Sequence, residues 1–404
     1  MSEIIVIGGG AAGMAAAIRA ARDGRNTVAL LERQQRVGKK LLSTGNGRCN
    51  LTNTGADVSR YHGADPAFAA AALEKWPPAA VLAFFRELGL WTVEEHGGRV
   101  YPKSGHAASV LDVLRLGLEQ PNIRVITGAA VRALRREKRG FSVAWDGGTL
   151  RGDRVAVACG GCAGGKVGGV RDGYRLLEGL GHSVTSLSPA LTWLRTAPDY
   201  PRALKGIRVD AAVRLLCGEQ TLAASRGDVL FTEQGVSGTA VFDLARAAGT
   251  EPGQKAVSLD LFPEEPQEAL VYGLRERQRR WGNRPAATVL TGMVQSRVGQ
   301  MLCRYARIGG NVTAGELDGA ALGRLALALR DFRLPVTGTG DFDAAQVTAG
   351  GARTEEFDPR TLESRLCPGL YACGEVLDID GDCGGFNLQW AWASGLLAGE
   401  GLCC

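Results

Sequence analysis

The stretch that decides the fold is IIVIGGGAAG, residues 4–13, close to the start of a chain of 404 residues. Its first four residues form an unbroken apolar run, which is typical of a short strand buried on both faces. The glycines then lead into an alanine-rich helix that reaches about Arg22, where Gly24 is suited to end it in the left-handed conformation. A second buried strand, residues 27–31, ends at Glu32. This order predicts a βαβ unit.

The glycine turn has the spacing GxGxxG, in which each glycine meets a separate physical requirement. Gly8 permits a tight turn, Gly10 lets backbone N–H groups approach a pyrophosphate, and Gly13 lets the helix pack closely on the strand. The first helical N–H groups, at Ala11 and Ala12, belong to a helix end that carries about half a positive charge. The motif therefore predicts a dinucleotide site.

The far end of the chain favours FAD over NAD as the resident nucleotide. Glu32, at the end of the second strand, can accept hydrogen bonds from ribose hydroxyls and would repel the extra phosphate of NADP. An NAD dehydrogenase does not need its C-terminus at this site. Here, however, residues 369–375 (GLYACGE) look like a strand and turn that place an acid on the ribityl chain of FAD.

The segment DGDCGGFNLQ, residues 380–389, opens a helix predicted over about 387–397. A helix that starts here could aim its N–H groups at the flavin C2 carbonyl, where negative charge accumulates on reduction. The alternative is an acidic surface loop before an ordinary helix.

Three blocks of sequence carry a resemblance to a known family. They are IGGGAAG (7–13) with Glu32, GKKLLSTGNGRCNLTN (38–53) and YACGEVLDIDGDCGGFNLQWAWASG (371–395). Together they resemble the BaiN-like flavoproteins, FAD-dependent oxidoreductases that also include aminoacetone oxidases. LFTEQGVSG and VTAGGARTEEF, which begin at residues 230 and 347, resemble two further blocks of that family.

The resemblance implies an α/β fold in which a Rossmann-type FAD-binding domain is interrupted by a β-rich and helical insertion. We expect the FAD-binding domain at residues 1–189 and 336–404. The inserted, substrate-side domain then covers residues 190–335, with a β-rich part to about 262 and a helical part from about 263. Within it, we predict a strand at 229–232 and a helix at 238–248.

The resemblance also implies that residues 43–50 line the flavin ring, and their amides, hydroxyls and glycines suit a flat heterocycle that needs donors. Cys159 stands where the family has Thr, which leaves the mainly backbone contacts there intact. The residues expected to contact FAD are Gly8, Gly10, Ala11, Ala12, Gly13, Glu32, Arg33, Lys40, Ser43, Thr44, Gly45, Asn46, Asn50, Val131, Ala158, Cys159, Gly160, Gly374, Glu375, Asp382, Gly385, Asn387 and Leu388.

Several other residues have two interpretations that the sequence leaves open. Arg48 either holds a substrate anion or anchors its loop in a salt bridge. His62 and His106 are each either a general base or covalent flavin anchor, or an ordinary surface residue. Tyr101 is either a substrate-side residue or a packed aromatic. No catalytic residue is assigned.

The spacing Cys159-Gly-Gly-Cys162 invites comparison with redox disulfides. The strand-end position does not obviously face a flavin, however, and close approach of backbone to the adenosine half also explains the two glycines. We therefore favour non-redox roles for both thiols. A structural zinc site would need a second CxxC pair, so no metal is predicted.

The composition limits the class of protein. Apolar residues make up 45% and charged residues 22%, which is ordinary for a globular protein, and the net charge of +5 is too small to predict a nucleic-acid partner. No apolar run reaches membrane-spanning length. Without an export signal, the ten cysteines indicate reduced thiols and a cytoplasmic location.

We therefore expect an FAD-dependent oxidoreductase that transfers hydride through flavin N5 to or from a small organic substrate. NAD(P)H is expected as a transient co-substrate. The alternatives are an oxidase that returns electrons to O₂, and an FAD-dependent tRNA-modifying protein. The sequence predicts neither the substrate nor the oligomeric state.

Overall fold

The structure is a computed structural model that describes residues 2–403. It divides into two compact units, which are described separately. The terminal unit combines the residues up to Ser188 with those from Ala345 onward, and the inserted unit covers Pro189–Ala344.

The first segment of the terminal unit contains, in chain order, β1 (Glu3–Ile7), α1 (Ala11–Ala21), β2 (Thr27–Glu32), β3 (Thr52–Asn53), β4 (Tyr61–His62), α2 (Ala70–Lys75), α3 (Pro78–Glu87), β5 (Thr92–Glu95), β6 (Arg99–Pro102), α4 (Ala107–Leu118), β7 (Ile123–Thr127), β8 (Val131–Arg136), β9 (Phe141–Trp145), β10 (Gly148–Gly152), β11 (Arg154–Val157) and α5 (Asp172–Glu178). A short strand, β12 (Ser188–Ala190), lies at the junction. The inserted unit contains β13 (Leu194–Thr196), β14 (Arg208–Cys217), β15 (Gln220–Phe231), β16 (Gly235–Ser237), α6 (Thr239–Phe242), α7 (Ala245–Thr250), β17 (Lys255–Asp260), α8 (Gln267–Arg280), α9 (Ser296–Tyr305), α10 (Gly319–Arg330) and β18 (Phe332–Thr339). The last segment contains β19 (Val347–Ala349), β20 (Leu370–Ala372), β21 (Asp380–Gly381) and α11 (Phe386–Gly401).

The terminal unit is built on a five-stranded parallel sheet with the order β20-β11-β1-β2-β7. Its central strand β1 is the apolar run that the sequence analysis starts from, and Ile4 to Ile7 are all buried. The carboxyl ends of β1, β2, β11 and β20 point to one edge, which is where open α/β sheets bind ligands. The predicted α/β, Rossmann-type fold is confirmed.

Helix α11 packs against α1 at very short range. A Cβ atom on Gly395 would lie 2.4 Å from the Ala12 carbonyl oxygen, and one on Gly399 would lie 2.7 Å from that of Ala16. Glycine at these two positions therefore lets the last helix of the chain pack against the first. Because α11 is buried on nearly all sides, it is apolar around its whole circumference.

The inserted unit contains a closed barrel of six strands in the order β13-β16-β15-β14-β17-β18. One continuous apolar core joins the barrel strands to α6–α10, with Leu215, Phe231, Leu302 and Leu325 among its buried members. Because β18 pairs with β13 and β17, residues 332–339 belong to the barrel. The inserted unit accordingly ends at Ala344, later than the boundary near residue 335 that the sequence analysis predicts.

Within residues 2–403, none of the helices is both long enough and apolar enough to cross a membrane.

Candidate flavin site

The glycine turn between β1 and α1 has the conformation that the motif predicts. Gly8 has φ +112°, and a Cβ atom there would lie 2.4 Å from the Ala158 carbonyl oxygen. A Cβ atom on Gly13 would lie only 1.8 Å from the Gly8 carbonyl oxygen, whereas one on Gly10 would meet no atom within 4 Å. Two glycines therefore make the packing possible, and the third faces open space at the start of α1.

The start of α1 is an array of backbone donors. Gly10 is the N-cap, and the first intrahelical hydrogen bond runs from the Met14 N–H to the Gly10 carbonyl at 3.0 Å. The N–H groups of Ala11, Ala12 and Gly13 precede that bond, so they have no intrahelical acceptor. They can donate to an anion, as the dinucleotide interpretation requires.

Glu32 is buried at the end of β2 and accepts two backbone hydrogen bonds. The Gly9 N–H donates to Oε2 and the Gln34 N–H donates to Oε1, each at 2.7 Å. Burial raises the pKa of Glu32, and these two hydrogen bonds oppose the increase. Because a carboxylate has about four acceptor positions, it keeps capacity for ribose hydroxyls.

Glu375 joins three segments of the terminal unit. Its Oε2 pairs with Lys40 Nζ at 2.8 Å, and its Oε1 accepts the Thr348 N–H at 2.8 Å. The neighbouring Gly374 has φ +77°, and a Cβ atom there would lie 2.8 Å from Ala12 Cβ. The acid expected on the ribityl chain thus stands beside the first turn of α1, and Lys40 ties the 38–50 loop to it.

The 38–50 loop contains an uncommon run of left-handed backbone. Gly45, Asn46 and Gly47 have φ of +55°, +55° and +82°, and Cys49 has φ +59°. Each non-glycine residue in this region costs about 1–3 kcal/mol, and such residues concentrate at functional sites. The loop therefore has a specific, strained conformation rather than the flexible one of a surface linker.

Two side chains of this loop differ from the sequence expectation. The Ser43 hydroxyl donates to the Lys40 carbonyl at 2.8 Å, and the Thr44 hydroxyl donates to the Leu41 carbonyl at 2.7 Å. Their protons therefore stabilise the turn and do not serve as ring donors. Both oxygens can still accept a hydrogen bond.

Asn50 has a buried acceptor with no protein partner. Among residues 2–403, no group donates to Asn50 Oδ1, although this atom is buried. It lies 2.9 Å from the position of a Cβ atom on Gly385, the N-cap of α11, where φ is +101°. A buried unpaired acceptor is costly, which makes Asn50 Oδ1 a candidate acceptor for a donor of a bound molecule.

The loop that precedes α11 is held by its own side chains. The Gly381 N–H donates to Asn387 Oδ1 at 2.8 Å, and Asn387 Nδ2 donates to the carbonyls of Gly381 (2.7 Å) and Asp382 (3.3 Å). Asp382 Oδ1 lies 2.7 Å from His62 Nε2, across the pairing of β4 with β21. Asn387 and Asp382, which are predicted to contact the cofactor, also hold this loop through their side chains.

The remaining predicted residues lie on the same edge of the sheet or beside it. Ala158, Cys159 and Gly160 follow β11, with Gly160 at φ +70°, and Leu388 is in the first turn of α11. Arg33 Nη1 lies 3.8 Å from Asp172 Oδ2.

Val131 is the first residue of β8, which pairs with β9 in a separate three-stranded sheet of the terminal unit. The parallel sheet does not include β8. Its place in that second sheet gives no information about a cofactor contact.

Two residues of the site are absent from the sequence prediction. Thr348 donates its N–H to Glu375 and accepts the Ala163 N–H at 3.0 Å. The Ser394 hydroxyl oxygen accepts the Gly374 N–H at 3.0 Å from within α11. Both residues lie in blocks that resemble the family, so a signal existed for each, although a serine in an apolar helix does not itself reveal a partner 20 residues away.

Arg48 lies in a salt bridge. Its Nη2 and Nη1 donate to the two oxygens of Glu95 at 2.6 and 3.2 Å, and its guanidinium carbon lies 4.1 Å from the centre of the Tyr101 ring. Of the two interpretations of Arg48, the structure therefore has the anchoring salt bridge.

The thiols of the CxxC pair are not bridged. Burial raises the pKa of Cys159 to about 12 and also raises that of Cys162. A raised pKa favours the protonated thiol over the thiolate that redox chemistry requires.

A second cluster resembles the serine, histidine and acid of hydrolases. His182 lies 2.8 Å from Glu356 Oε2 and 2.9 Å from Ser364 Oγ. Ser364 Oγ already accepts the N–H groups of Leu366 and Cys367, at 3.1 and 2.8 Å, and the residue is only 4% exposed. A hydroxyl so enclosed cannot reach a substrate, so the cluster fastens the chain segments that carry it.

The donors and acceptors of this edge fit FAD. The start of α1 offers donors for a diphosphate, Glu32 offers acceptors for ribose, and the start of α11 offers donors for a ring carbonyl. Asn50 Oδ1 offers the acceptor that the flavin N3–H needs.

Parallel strands, a glycine turn and two helix starts at one sheet edge define a Rossmann-type oxidoreductase of the flavoprotein class. The chain belongs to the family described as HI0933-like protein Rossmann domain, which matches residues 2–401. The resemblance to BaiN-like flavoproteins is confirmed, because the chain is 41% identical to the 3-dehydro-bile acid delta(4,6)-reductase of Clostridium scindens, over 99% of this chain and 98% of that protein.

More distant proteins share the same extent of chain. The ribosomal RNA dihydrouridine synthase of Escherichia coli is 29% identical over 97% of this chain and 96% of its own. Among solved structures, a 3-ketosteroid delta1-dehydrogenase from Sterolibacterium denitrificans matches with a TM-score of 0.51 at 14% identity, covering all of both chains. A flavocytochrome c3 fumarate reductase matches with a TM-score of 0.50 at 15% identity, covering 100% of this chain and 78% of its own. At such identities the structural matches show the fold alone.

Proposed function

We propose that the protein is an FAD-dependent reductase that saturates a carbon–carbon double bond conjugated to a carbonyl group. The observation that carries the proposal is that the buried acceptor Asn50 Oδ1 lies beside the N-cap residue of α11. Asn50 Oδ1 and the N-cap Gly385 present an acceptor beside a set of donors, which complements the edge of the flavin ring.

The substrate class follows from the names of the relatives. A 3-dehydro-bile acid delta(4,6)-reductase removes double bonds that are conjugated to a ring ketone. Dihydrouridine is uridine whose ring double bond, conjugated to a carbonyl, is saturated. The two relatives thus act on one electronic arrangement in different molecules, and we extend that arrangement to this chain. A small polycyclic ketone is our first candidate, because the identity to the bile-acid enzyme is higher.

Each part of the site has a role in this activity. When bound, FAD supplies a centre that accepts and gives two electrons as a hydride. The first turn of α1 holds the diphosphate, and Glu32 holds the adenosine ribose. Glu375 binds the ribityl chain, with Lys40 fixing the carboxylate. The first turn of α11 faces the ring carbonyl, where its positive end stabilises developing negative charge.

NAD(P)H is the proposed source of electrons, docking transiently. The competing possibility is an oxidase that gives its electrons to O₂. The two differ in how quickly the anaerobically reduced protein is reoxidised by oxygen. Reoxidation over minutes agrees with the reductase, whereas reoxidation within milliseconds to seconds would contradict it.

The direct test is an anaerobic reduction screen followed by flavin absorbance. NADH, NADPH and an amine are offered first as reductants, and the reduced protein is then mixed with a 3-oxo-4,6-diene steroid or a simple enone. We expect bleaching by a nicotinamide and recovery of colour with the conjugated ketones. Bleaching by the amine alone, or recovery of colour with no acceptor present, would contradict the proposal.

A matched pair of variants tests the ring edge separately. Asn50→Leu removes the acceptor at nearly constant size, and Asn50→Asp keeps one. We expect the leucine variant to bind FAD at least about ten-fold more weakly, a loss of about 1.4 kcal/mol, while the aspartate variant retains the cofactor. Equal retention of FAD by both variants would contradict the proposed contact between Asn50 and the flavin ring.

A second candidate substrate, uridine within RNA, is favoured by an arginine-rich helix end. Arg275, Arg279, Arg280 and Arg284 are exposed on α8 and the residues after it. Phosphate backbones bind such groups, although cations also stabilise a helix C-terminus without any ligand. A ribosomal RNA fragment offered in the same screen distinguishes the candidates, since reoxidation by RNA and not by the steroid would replace the first with the second.

A further inference from the structure

The reaction proposed above needs a proton as well as an electron pair, and this inference rests on that proposed function. When a double bond conjugated to a carbonyl is reduced, the hydride joins the carbon farther from the carbonyl. The other carbon of the same double bond must then gain a proton. A titratable side chain near the ring end of the site is the expected source.

Three titratable groups near the start of α11 hold their protons tightly. The Tyr61 hydroxyl is buried and donates to the Phe386 carbonyl at 3.0 Å, and burial raises the pKa of Tyr61 far above its ordinary value. Burial likewise raises the pKa of Cys49 and that of Cys373 to about 12. None of these three groups is suited to give up a proton near neutral pH.

His62 differs from these groups in exposure and in its partner. Its side chain is 38% exposed, and its Nε2 lies 2.7 Å from Asp382 Oδ1. A carboxylate in this position fixes one ring nitrogen and stabilises the protonated imidazole by its charge.

Backbone hydrogen bonds of Asp382 fix the residue that carries this carboxylate in the loop before α11. The Asp382 N–H donates to the Arg60 carbonyl at 3.0 Å, and Asn387 Nδ2 donates to the Asp382 carbonyl at 3.3 Å. His62 is in register with Asp380 across the pairing of β4 with β21. The His62 imidazole is thus held by Asp382, which follows β21 in the loop that leads into the first turn of α11.

The charges around this imidazole are mixed. Asp382 also receives Arg60 Nη1, at 3.3 Å from Oδ2, and Asp380 lies opposite His62 on the facing strand. The Arg60 guanidinium also lies 5.5 Å from the centre of the Phe386 ring. When the imidazole is protonated, Asp382 therefore faces two positively charged groups with a single negative charge.

We propose that His62, oriented by Asp382, is the catalytic acid that protonates the other carbon of the reduced double bond. With FAD bound, NAD(P)H would supply the hydride that forms the first new C–H bond and brings both electrons. As charge moves toward the carbonyl, the imidazolium N–H bond breaks and the second C–H bond forms. The neutral imidazole then regains its proton from water, so atoms and electrons balance.

The test uses the holoprotein, anaerobically reduced and mixed with a 3-oxo-4,6-diene steroid. We expect His62→Gln to slow single-turnover reduction of the steroid by about 10²- to 10⁴-fold. Reduction of ferricyanide, which needs no carbon-bound proton, should keep its wild-type rate. His96→Gln, at an exposed histidine outside the site, serves as the matched control and should change neither rate.

A second readout is independent of turnover. In ¹⁵N-histidine NMR spectra of the holoprotein, the signal lost in His62→Gln identifies the His62 ring. We expect that ring to titrate at a lower pH in Asp382→Asn, because the variant lacks the stabilising charge. The dissociation constant of the steroid, measured from the oxidised flavin spectrum, should stay within about two-fold in both variants.

Each outcome decides between the two proposals. If the wild-type protein reduces the steroid and His62→Gln does so at the same rate, the proton donor is overturned and the reductase stands. The same holds if Tyr101→Phe, and not His62→Gln, removes steroid reduction. If the wild-type protein reduces ferricyanide but no conjugated ketone, the reductase itself is overturned, and the donor with it. An unchanged His62 titration in Asp382→Asn overturns the orienting role of Asp382.

Discussion

Two glycines of one motif should respond in opposite ways to alanine. In Gly13→Ala the new Cβ atom would lie 1.8 Å from the Gly8 carbonyl oxygen, so α1 must move away from the turn. In Gly10→Ala the Cβ atom meets nothing within 4 Å, and the backbone, with φ −82° and ψ −169°, suits any residue. We therefore expect Gly13 to matter for folding and Gly10 for binding of the ligand.

The magnitudes follow from these distances. Overpacking of this kind costs about 1–3 kcal/mol, and the gain from placing alanine in a helix, about 0.5–1 kcal/mol, does not offset a collision with backbone. We therefore expect Gly13→Ala to lower the unfolding temperature of the apoprotein, by about 2–4 °C per kcal/mol. Gly10→Ala should stay within about 1 kcal/mol of the wild type, because reduced freedom of the unfolded chain and the weaker N-cap nearly cancel.

The ligand should reverse the order of the two effects. If the diphosphate binds the N–H groups at the start of α1 as proposed, a methyl group at Gly10 obstructs it, and FAD affinity should fall at least about ten-fold. The measurement is thermal unfolding of the apoproteins by circular dichroism, combined with FAD titration by fluorescence. The reasoning is refuted if Gly10→Ala destabilises the apoprotein as much as Gly13→Ala, or if it binds FAD as tightly as the wild type.

Three further predictions concern packing, pH and thiols. In Gly395→Ala the new Cβ atom would lie 2.4 Å from the Ala12 carbonyl oxygen, so the free energy of unfolding should fall by about 1–3 kcal/mol. Gly323, in α10, has open space around it, so Gly323→Ala should raise the free energy of unfolding by about 0.5–1 kcal/mol. Urea unfolding measures both variants, and equal effects would contradict the close contact between α11 and α1. Burial lowers the pKa of His182 below its ordinary 6.5, so the unfolded chain binds more protons than the folded one, and the free energy of unfolding should fall as the pH drops through 6.5. His182→Asn should make the free energy of unfolding less dependent on pH between pH 7.5 and 5.5. An unchanged pH dependence would show that His182 is not its source. Cys162→Ala should keep the rate of anaerobic flavin bleaching by NADPH within about two-fold of the wild-type rate. A large loss of rate would support a redox role for the Cys159–Cys162 pair.

The parts of the fold that were predictable are those coded by local pattern. The β1 strand, the glycine turn and α1 follow from apolar runs and from residues with special backbone freedom, all within a few positions of one another. The inserted barrel was harder to predict. Its strand β15 covers Gln220–Phe231, yet only its end, near 229–232, has a strand pattern, because the rest is largely solvent-exposed and polar. The helix predicted at 238–248 is two short helices, α6 and α7.

The candidate site shows the same division. Residues that act through their backbone, such as Gly8 and Gly385, were predictable because glycine is required wherever φ is positive and space is short. Side-chain pairs were not. His62 and Asp382 are 320 residues apart in sequence, and Lys40 and Glu375 are 335 apart. No periodicity or spacing encodes a pair of this kind, since it depends on how β4 meets β21 and how β20 joins the sheet.

The interleaving of the two units imposes an order on biosynthesis. A ribosome releases the inserted barrel complete while the sheet still lacks β20, and the first helix still lacks α11. The apolar strands beside the glycine turn therefore stay incompletely covered until the last part of the chain has been synthesised. Cofactor capture is consequently a late event in the life of the nascent chain, and a premature stop that removes only α11 should yield a colourless protein whose barrel is nonetheless intact.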